Sequence, residues 1–493
     1  KGLAYRGKLL SNWCPSCKTV LANENVELGK CWRCGSSVEQ REVDQWLFKI
    51  TQYADRLIWQ DPPQANWPKP LTDGQNNWIG RSEGMILDFD GIKVFTTRPE
   101  TTDGATFLVL APEHPLVDKL TTKEQKTDVE SYIKVVKSKN EVERKENKEK
   151  TGVFIGSFVK NPITGKEIPV WIAGYVLMGY GTGAIMAVPY ADERDSAFAE
   201  KFKLPIIETS FKSTPTGEKK VNYHLHDWSI SRQRYWGTPI PIIYCESCGT
   251  VPVPEKDLPV ELPYEVDYAP KGKPPLATAQ DWVKVTCPKC GGEARREVET
   301  MDTFVDSAWY FFRYLDPENE KQIFDKQAVA SWMPLEIYIG GPEHTLGHAL
   351  YSRFFTMVFK DLGLINFDEY AKKRIHHGTI LGPDGARMSK SQGNVVNPDE
   401  EVKKFGADAM RIYLMFLGPF DIVTSWNPDG VNGAYHFLQR VWSLMDKIGE
   451  TSLSVQDKKF IHKTIKKVTK DIERIKFNTA IASLMEWLNH LSR

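Results

Sequence analysis

Eight cysteines fall into four Cys-x-x-Cys turns, Cys14/Cys17, Cys31/Cys34, Cys245/Cys248 and Cys287/Cys290, and none is left over. Each turn presents two thiolates from one tight loop. Zinc asks for four soft ligands in a tetrahedron, so two turns close one site. Proximity in sequence pairs the first two turns with each other and the last two with each other. Gly35, Gly249 and Gly291 each follow a second cysteine, where such knuckles favour a positive φ. Closed four-thiolate sites are structural, so neither ribbon is expected to be catalytic. The alternative is reduced thiols without metal; disulfides suit small secreted domains rather than a chain of 493 residues.

A second cluster is the run Arg387-Met388-Ser389-Lys390-Ser391, which places an ammonium, a guanidinium and two hydroxyls within five residues. Such a set suits phosphate handling, and equally a polar turn after Pro383-Asp384-Gly385. His344 and His348, four apart, are expected one helical turn from each other. A metalloprotease needs Glu directly after the first His, and Thr345 stands there, so that reading is discarded. The glycines between Gly174 and Gly183 suggest a tight loop feeding a buried strand at 184–188.

These residues must be held by several modules, because 493 residues exceed one core and suggest about three domains. The chain is 41% apolar and 26% charged with 15 Trp, the profile of a folded globular protein. Lys plus Arg equals Asp plus Glu at 64 each, so no global positive field advertises nucleic acid, and any RNA contact must come from local patches. No apolar run is long enough to span a bilayer, which sets membrane function aside. Residues 35–60 read as an amphipathic helix through Trp46, Ile50, Tyr53 and Leu57. A Pro/Gln/Asn-rich stretch from Asp61 to Asn77 predicts a boundary near Gly80. Residues 118–150 read as a solvated Lys/Glu helix, and from Glu401 the pattern is helical.

The segment from His376-His377-Gly378 to Ser391 resembles the Lys-Met-Ser-Lys-Ser signature of class I aminoacyl-tRNA synthetases, with Arg387 at the first place. Three further words, Trp78-Ile-Gly-Arg-Ser-Glu-Gly84, Thr96-Thr97-Arg98-Pro99 and Asp227-Trp228-Ser-Ile-Ser-Arg232-Gln233-Arg234-Tyr235-Trp236-Gly237, narrow the resemblance to bacterial-type leucyl-tRNA synthetases, members of class Ia. The resemblance implies that Lys390 neutralises charge on departing pyrophosphate, with Ser389 and Ser391 orienting phosphates and Arg387 assisting. It implies that Gly340, Gly341, Glu343, His344, His348, His377, Met388 and Lys390 receive ATP, with Mg2+. It places Val305, Ala308, Phe311 and His348 around the leucine side chain, and Arg232 and Arg234 beside the tRNA acceptor end.

Apolar pockets separate similar aliphatic side chains by only about 1–3 kcal/mol, so a second, hydrolytic site is advantageous. The region from Gly84 to Phe211 resembles such an editing domain. Thr96, Thr97 and Arg98 would line it, Thr101 would exclude leucine by bulk, and Asp195, near Asp192, would pair with the substrate's amino group. Thr102, Asp103, Ala191 and Gly174 depart from the family pattern, and 208–220 looks short.

The implied fold is α/β and multidomain. A Rossmann-like class I catalytic core is expected at 1–13 and 35–80 and again at 221–410, with zinc ribbons at 14–34 and about 245–295. An editing (CP1) domain is expected at 81–220 and the start of a helical anticodon-binding bundle at 411–493. No His-Ile-Gly-His tetrad occurs in the sequence, and both ends resemble interior segments. The expectation is therefore a ligase fragment, cytoplasmic and monomeric when complete, acting on tRNA(Leu), leucine and ATP, and needing an upstream fragment for activation. Two other readings compete with it: a module that only binds or deacylates tRNA, and, less favoured, a zinc-ribbon RNA scaffold.

Overall fold

The computed structural model describes the chain apart from residues 22–25, 28, 138–143, 145–149, 180, 269–273, 391–392, 448, 450–451 and 493. The chain divides into two compact units, one of residues 1–64, 69–333 and 345–370, the other of residues 65–68, 334–344 and 371–493.

In the first unit the strand Ala4–Cys14 runs directly into the first cysteine turn and pairs antiparallel with Glu39–Phe48, in register from Ala4 opposite Phe48 to Trp13 opposite Glu39. The helix expected over 35–60 is thus largely a strand, followed by a 3-10 turn at Ile50–Tyr53 and a single helical turn at Ala54–Leu57. A ten-pair ladder to Ala4–Cys14 overrides the helical spacing. Trp46, Ile50, Tyr53 and Leu57 are still buried in one cluster with Trp228, Leu350 and Phe354. The stretch before Gly80 contains a helix, Lys69–Ile79, which Gly80 ends at a φ of 58°.

The middle of this unit is built on two sheets. Ser82–Phe89 pairs with Ile92–Thr96 on one side and Glu218–Asn222 on the other. The second sheet has the order Ala184–Ala187, Phe107–Leu110, Glu167–Ala173, Gly152–Lys160. Leu87, Val94, Leu108, Leu110, Ile155 and Ile172 close one core between them. Of the charged 118–150 stretch, Lys126–Lys137 is helical and buries Val129 and Val136. Most of residues 138–149 lie outside the described residues.

The second unit carries two short parallel strand pairs, Leu335–Gly340 with Ala371–His376 and Ile380–Leu381 with Thr424–Ser425. Its helices are Pro398–Phe405, Ala407–Phe416, Gly430–Ser443, Val455–Glu473 and Phe477–Leu491. The helical pattern expected from Glu401 starts with Pro398–Phe405, with Asn397 capping that helix by accepting from the Asp399 N–H. No helix among the described residues is long and apolar enough to cross a membrane.

Candidate active and metal sites

The four turns assemble as two four-cysteine clusters, Cys14/Cys17/Cys31/Cys34 and Cys245/Cys248/Cys287/Cys290, each with its sulfurs within 4.8 Å of one another. Gly35, Gly249 and Gly291 take φ values of 70°, 70° and 74°. Their amides turn back on the knuckle, as when the Gly35 N–H donates to the Cys31 carbonyl at 2.8 Å. Burial pushes Cys17 up to about 12, while Ser36 and then Cys14 hold Cys34 down at about 5. Four soft donors gathered in one closed cluster are a donor set that fits zinc.

The polar run of the second unit is mounted on a pinned turn. The Gly382 N–H donates to the Ala386 carbonyl at 2.7 Å, Gly385 takes a φ of 75°, and Leu381 bridges Arg387. Pro383-Asp384-Gly385 thus forms a turn that leads into the basic run. Met388 packs against the cluster of Tyr413, Trp426 and Val431, leaving Arg387 and Lys390 exposed on either side of an apolar anchor. Asn394, which sequence reasoning missed, fastens this loop. Its Oδ1 accepts from the Ser389 N–H at 2.8 Å, and its Nδ2 donates to the Arg387 carbonyl at 3.2 Å and to Asp384 at 3.1 Å. Ser391 lies outside the described residues. Upstream, Gly378 leaves no room for a side chain, since a Cβ there would sit 1.8 Å from the Ile422 carbonyl oxygen. His377 Nδ1 lies 2.8 Å from the carbonyl oxygen of Gly378.

Gly340 ends the strand Leu335–Gly340, and a Cβ on it would meet the Arg374 guanidinium at 3.1 Å. The Glu343 carboxylate folds over Gly341, where a Cβ would lie 2.1 Å from it. His344 closes the 3-10 turn Pro342–His344, whereas His348 begins the helix His348–Asp361. The two imidazoles are not on successive turns of one helix, because Gly347, with φ −94° and ψ −105°, interrupts it. The division between the two units falls between His344 and Thr345.

In the first unit His348 is buried, with Nδ1 3.3 Å from the Ser307 hydroxyl. Val305 and Ala308 lie in the cluster of Leu350, Tyr351 and Phe354, and Phe311 stacks on Tyr370 at 4.9 Å. Arg232 is 1% exposed, ion-paired to Asp302, and donates to the Ser229 and Ser231 carbonyls at 3.0 and 2.8 Å, so it braces the return to the core. Arg234 is half-buried, while nearby Trp236 is largely exposed.

The editing candidates converge. Phe107–Leu110 and Ala184–Ala187 are antiparallel, with Phe107 opposite Ala187, so the turn Pro99–Gly104 before the first and the loop 188–192 after the second share one sheet end. A Cβ on Gly104 would lie 3.2 Å from Val188, which measures how tightly the two segments approach. Thr97 and Arg98 are exposed there; the Arg98 N–H donates to the Thr96 hydroxyl at 3.0 Å. Thr101 is buried and donates to the Arg98 carbonyl at 2.8 Å. Asp192 caps the helix Glu193–Phe202 by accepting from the Arg194 and Asp195 N–H groups. Asp195 is only 2% exposed; it accepts from the Val188 N–H at 2.9 Å and faces Arg194 at 3.3 Å. Burial pushes its carboxyl above the ordinary range, against the pull of Arg194.

Two family models match the chain: the leucyl-tRNA synthetase editing domain over residues 76–227 and the class I tRNA synthetases for I, L, M and V over residues 200–421. Leucine–tRNA ligases from Clostridium botulinum and Dehalococcoides mccartyi are each 46% identical over all of this chain and 67% of their own length. This chain belongs to the leucine–tRNA ligase family. A similar solved structure is an Agrobacterium radiobacter LeuRS-tRNA-LeuAMS ternary complex, with a TM-score of 0.87 and 38% identity, covering all of this chain and 66% of that one. The chain thus spans about two thirds of the relatives it matches. Its fold is that of a class I synthetase with an editing domain, as the sequence motifs imply.

Proposed function

We propose that this chain carries the phosphate-handling loop and the hydrolytic site of an ATP-dependent leucine–tRNA ligase acting on tRNA(Leu) in the cytoplasm, as a monomer. The pinned presentation of Lys390 carries this reading. In activation, a carboxylate oxygen of leucine attacks the α-phosphorus of ATP, the bond to the bridging oxygen breaks, and pyrophosphate leaves with the electron pair. A positioned ammonium stabilises the charge that grows on that leaving group. Lys390 takes this role, Arg387, Ser389 and Ser391 assist it, and Gly340, Gly341, Glu343, His344, His348, His377 and Met388 receive the nucleotide. Val305, Ala308, Phe311 and His348 frame the leucine side chain, and Arg234 guides the acceptor end.

The module division expected from the sequence is proposed with it, the editing part lying at about 81–220. There Thr96, Thr97, Arg98, Thr101 and Asp192 line the pocket, and Asp195 receives a substrate ammonium beside or in place of the half-exposed Arg194. Leucine-dependent pyrophosphate exchange, measured with the chain alone and with an upstream segment supplied, tests the ligase reading. Exchange that a Lys390→Ala change lowers by about 10²–10³-fold supports it; no exchange in either arrangement rejects it and leaves a deacylating module.

Zinc at the two cysteine clusters would act structurally, tying each ribbon's loops together. Elemental analysis of freshly purified protein is expected to find two zinc ions per chain, one for each four-cysteine cluster. Cys31→Ser and Cys287→Ser are each expected to remove one. Less than one per cluster in the unaltered protein contradicts the assignment.

A further inference from the structure

Beside the hydrolytic candidates lies a strap that no motif predicted. Asp103 gathers residues 209–213: it accepts from the Thr209 hydroxyl at 2.5 Å and from the Ser210 amide and hydroxyl at 3.0 and 2.8 Å, and its own N–H donates to the Ser213 hydroxyl at 3.2 Å. The Ser213 N–H reaches the Glu100 carbonyl at 3.2 Å. Burial opposes the ionised form of Asp103, but the bonds from Thr209 and Ser210 outweigh it and hold the carboxyl far below its usual range. The clip therefore stays charged at neutral pH.

The strap holds Phe211 in a left-handed conformation, φ 53°, which a non-glycine residue adopts only when its surroundings impose it. Its ring lies 6.3 Å from the Tyr190 ring, and the Arg98 guanidinium sits 5.4 Å from its centroid. The Tyr190 hydroxyl in turn donates to Glu208 at 3.2 Å. Although fixed from both sides, Phe211 and Tyr190 remain 42% and 48% exposed, and Arg98 is exposed between the strap and the Thr96–Thr101 wall. Two rings and a guanidinium held outward at the edge of a site are the parts on which unpaired bases stack.

We infer that Phe211, Tyr190 and Arg98 form a stacking platform for the single-stranded 3′ end of an RNA entering the hydrolytic site. This rests on the editing reading. Asp103 is the positioning residue, and the strap is a specificity element for an unpaired RNA end over a duplex.

Deacylation of mischarged tRNA(Leu) tests the platform. Phe211→Ala and Tyr190→Ala are each expected to raise KM roughly tenfold, the loss of one base–aromatic stack, with kcat within about twofold, and Phe211→Trp is expected to keep the wild-type KM. A wild-type KM in both alanine variants, or in Phe211→Leu, which keeps bulk but not the ring, overturns the proposal. Should the unaltered chain not deacylate at all, it is the editing reading that fails. Fluorescence anisotropy with a labelled RNA hairpin then decides the platform: an end of four unpaired nucleotides should bind roughly tenfold tighter than a blunt end, and Phe211→Ala should erase the difference. Equal binding of the two hairpins overturns the platform independently of hydrolysis.

Discussion

Replacing Arg353 by methionine is expected to cost about 3–5 kcal/mol of stability, measured by urea unfolding of the first unit, because it leaves a buried carboxylate without its cation. Arg353 is 0% exposed. Its Nε and Nη2 donate to Glu369 at 2.8 and 2.7 Å, and Nη1 donates to the Leu57 carbonyl at 2.6 Å and to Gln75 Oε1 at 2.9 Å. The guanidinium also lies 3.9 Å from the centre of the Trp59 ring, whose Nε1 donates to the same Gln75 at 2.7 Å. The Gln75 Nε2 then donates to the Thr345 carbonyl at 2.8 Å, just before the helix that His348 begins. One cation therefore joins the end of Ala54–Leu57, the helix Lys69–Ile79 and the segment that follows His348–Asp361. Removing Glu369 as well, by Glu369→Gln, should recover part of the loss, since the penalty of an uncompensated buried charge disappears. A single variant within about 1 kcal/mol of wild type, well inside the ordinary range for point changes, would show that the pair is not buried in solution as it is here.

Residues whose partners lie nearby in sequence were legible. The eight cysteines announce their grouping because each turn needs only two residues between ligands, and the glycines after Cys34, Cys248 and Cys290 carry the backbone requirement with them. The run at Arg387 was legible as a motif, but its fastening was not: Asn394 reaches back seven residues to the Arg387 carbonyl and ten to Asp384, a pairing with no periodic signature. The Arg232 ion pair was hidden for a similar reason, because its partner Asp302 lies 70 residues away. Trp46, Ile50, Tyr53 and Leu57 fit a helical spacing, yet the first belongs to a strand. What that spacing recorded was a shared core, which a strand and a following turn can supply as well as a helix. The helix Lys69–Ile79 was hidden by Pro70, Gly74 and two asparagines, residues of low helix propensity that packing of Leu71, Gln75 and Ile79 overrides. In the editing domain the candidate residues came from resemblance, but the strap did not, since Asp103 gathers Thr209, Ser210 and Ser213 without a motif.

Asp195→Asn should separate stability from hydrolysis. The change keeps the shape of the side chain and an acceptor for the Val188 N–H, and removes the charge proposed to receive a substrate ammonium. Hydrogen bonds to a charged group are worth about 1.5–3 kcal/mol, so kcat/KM for deacylating mischarged tRNA(Leu) is expected to fall roughly 10- to 100-fold. Stability should move the other way. Burial raises the Asp195 carboxyl above its unfolded value, so the folded state binds a proton more tightly than the unfolded one. That contribution is complete below the unfolded pKa and is lost as pH rises through the folded one, leaving wild type to bear a buried carboxylate at neutral pH. The asparagine variant escapes this cost. Its urea midpoint should exceed that of wild type at pH 7, with the gap closing as the pH is lowered toward 4. A residue kept only for the fold would lose stability on replacement, whereas a gain in the asparagine variant would fit a carboxylate retained for binding. Equal or lower stability of the variant at pH 7, together with unchanged deacylation, would assign Asp195 to the Arg194 pair alone.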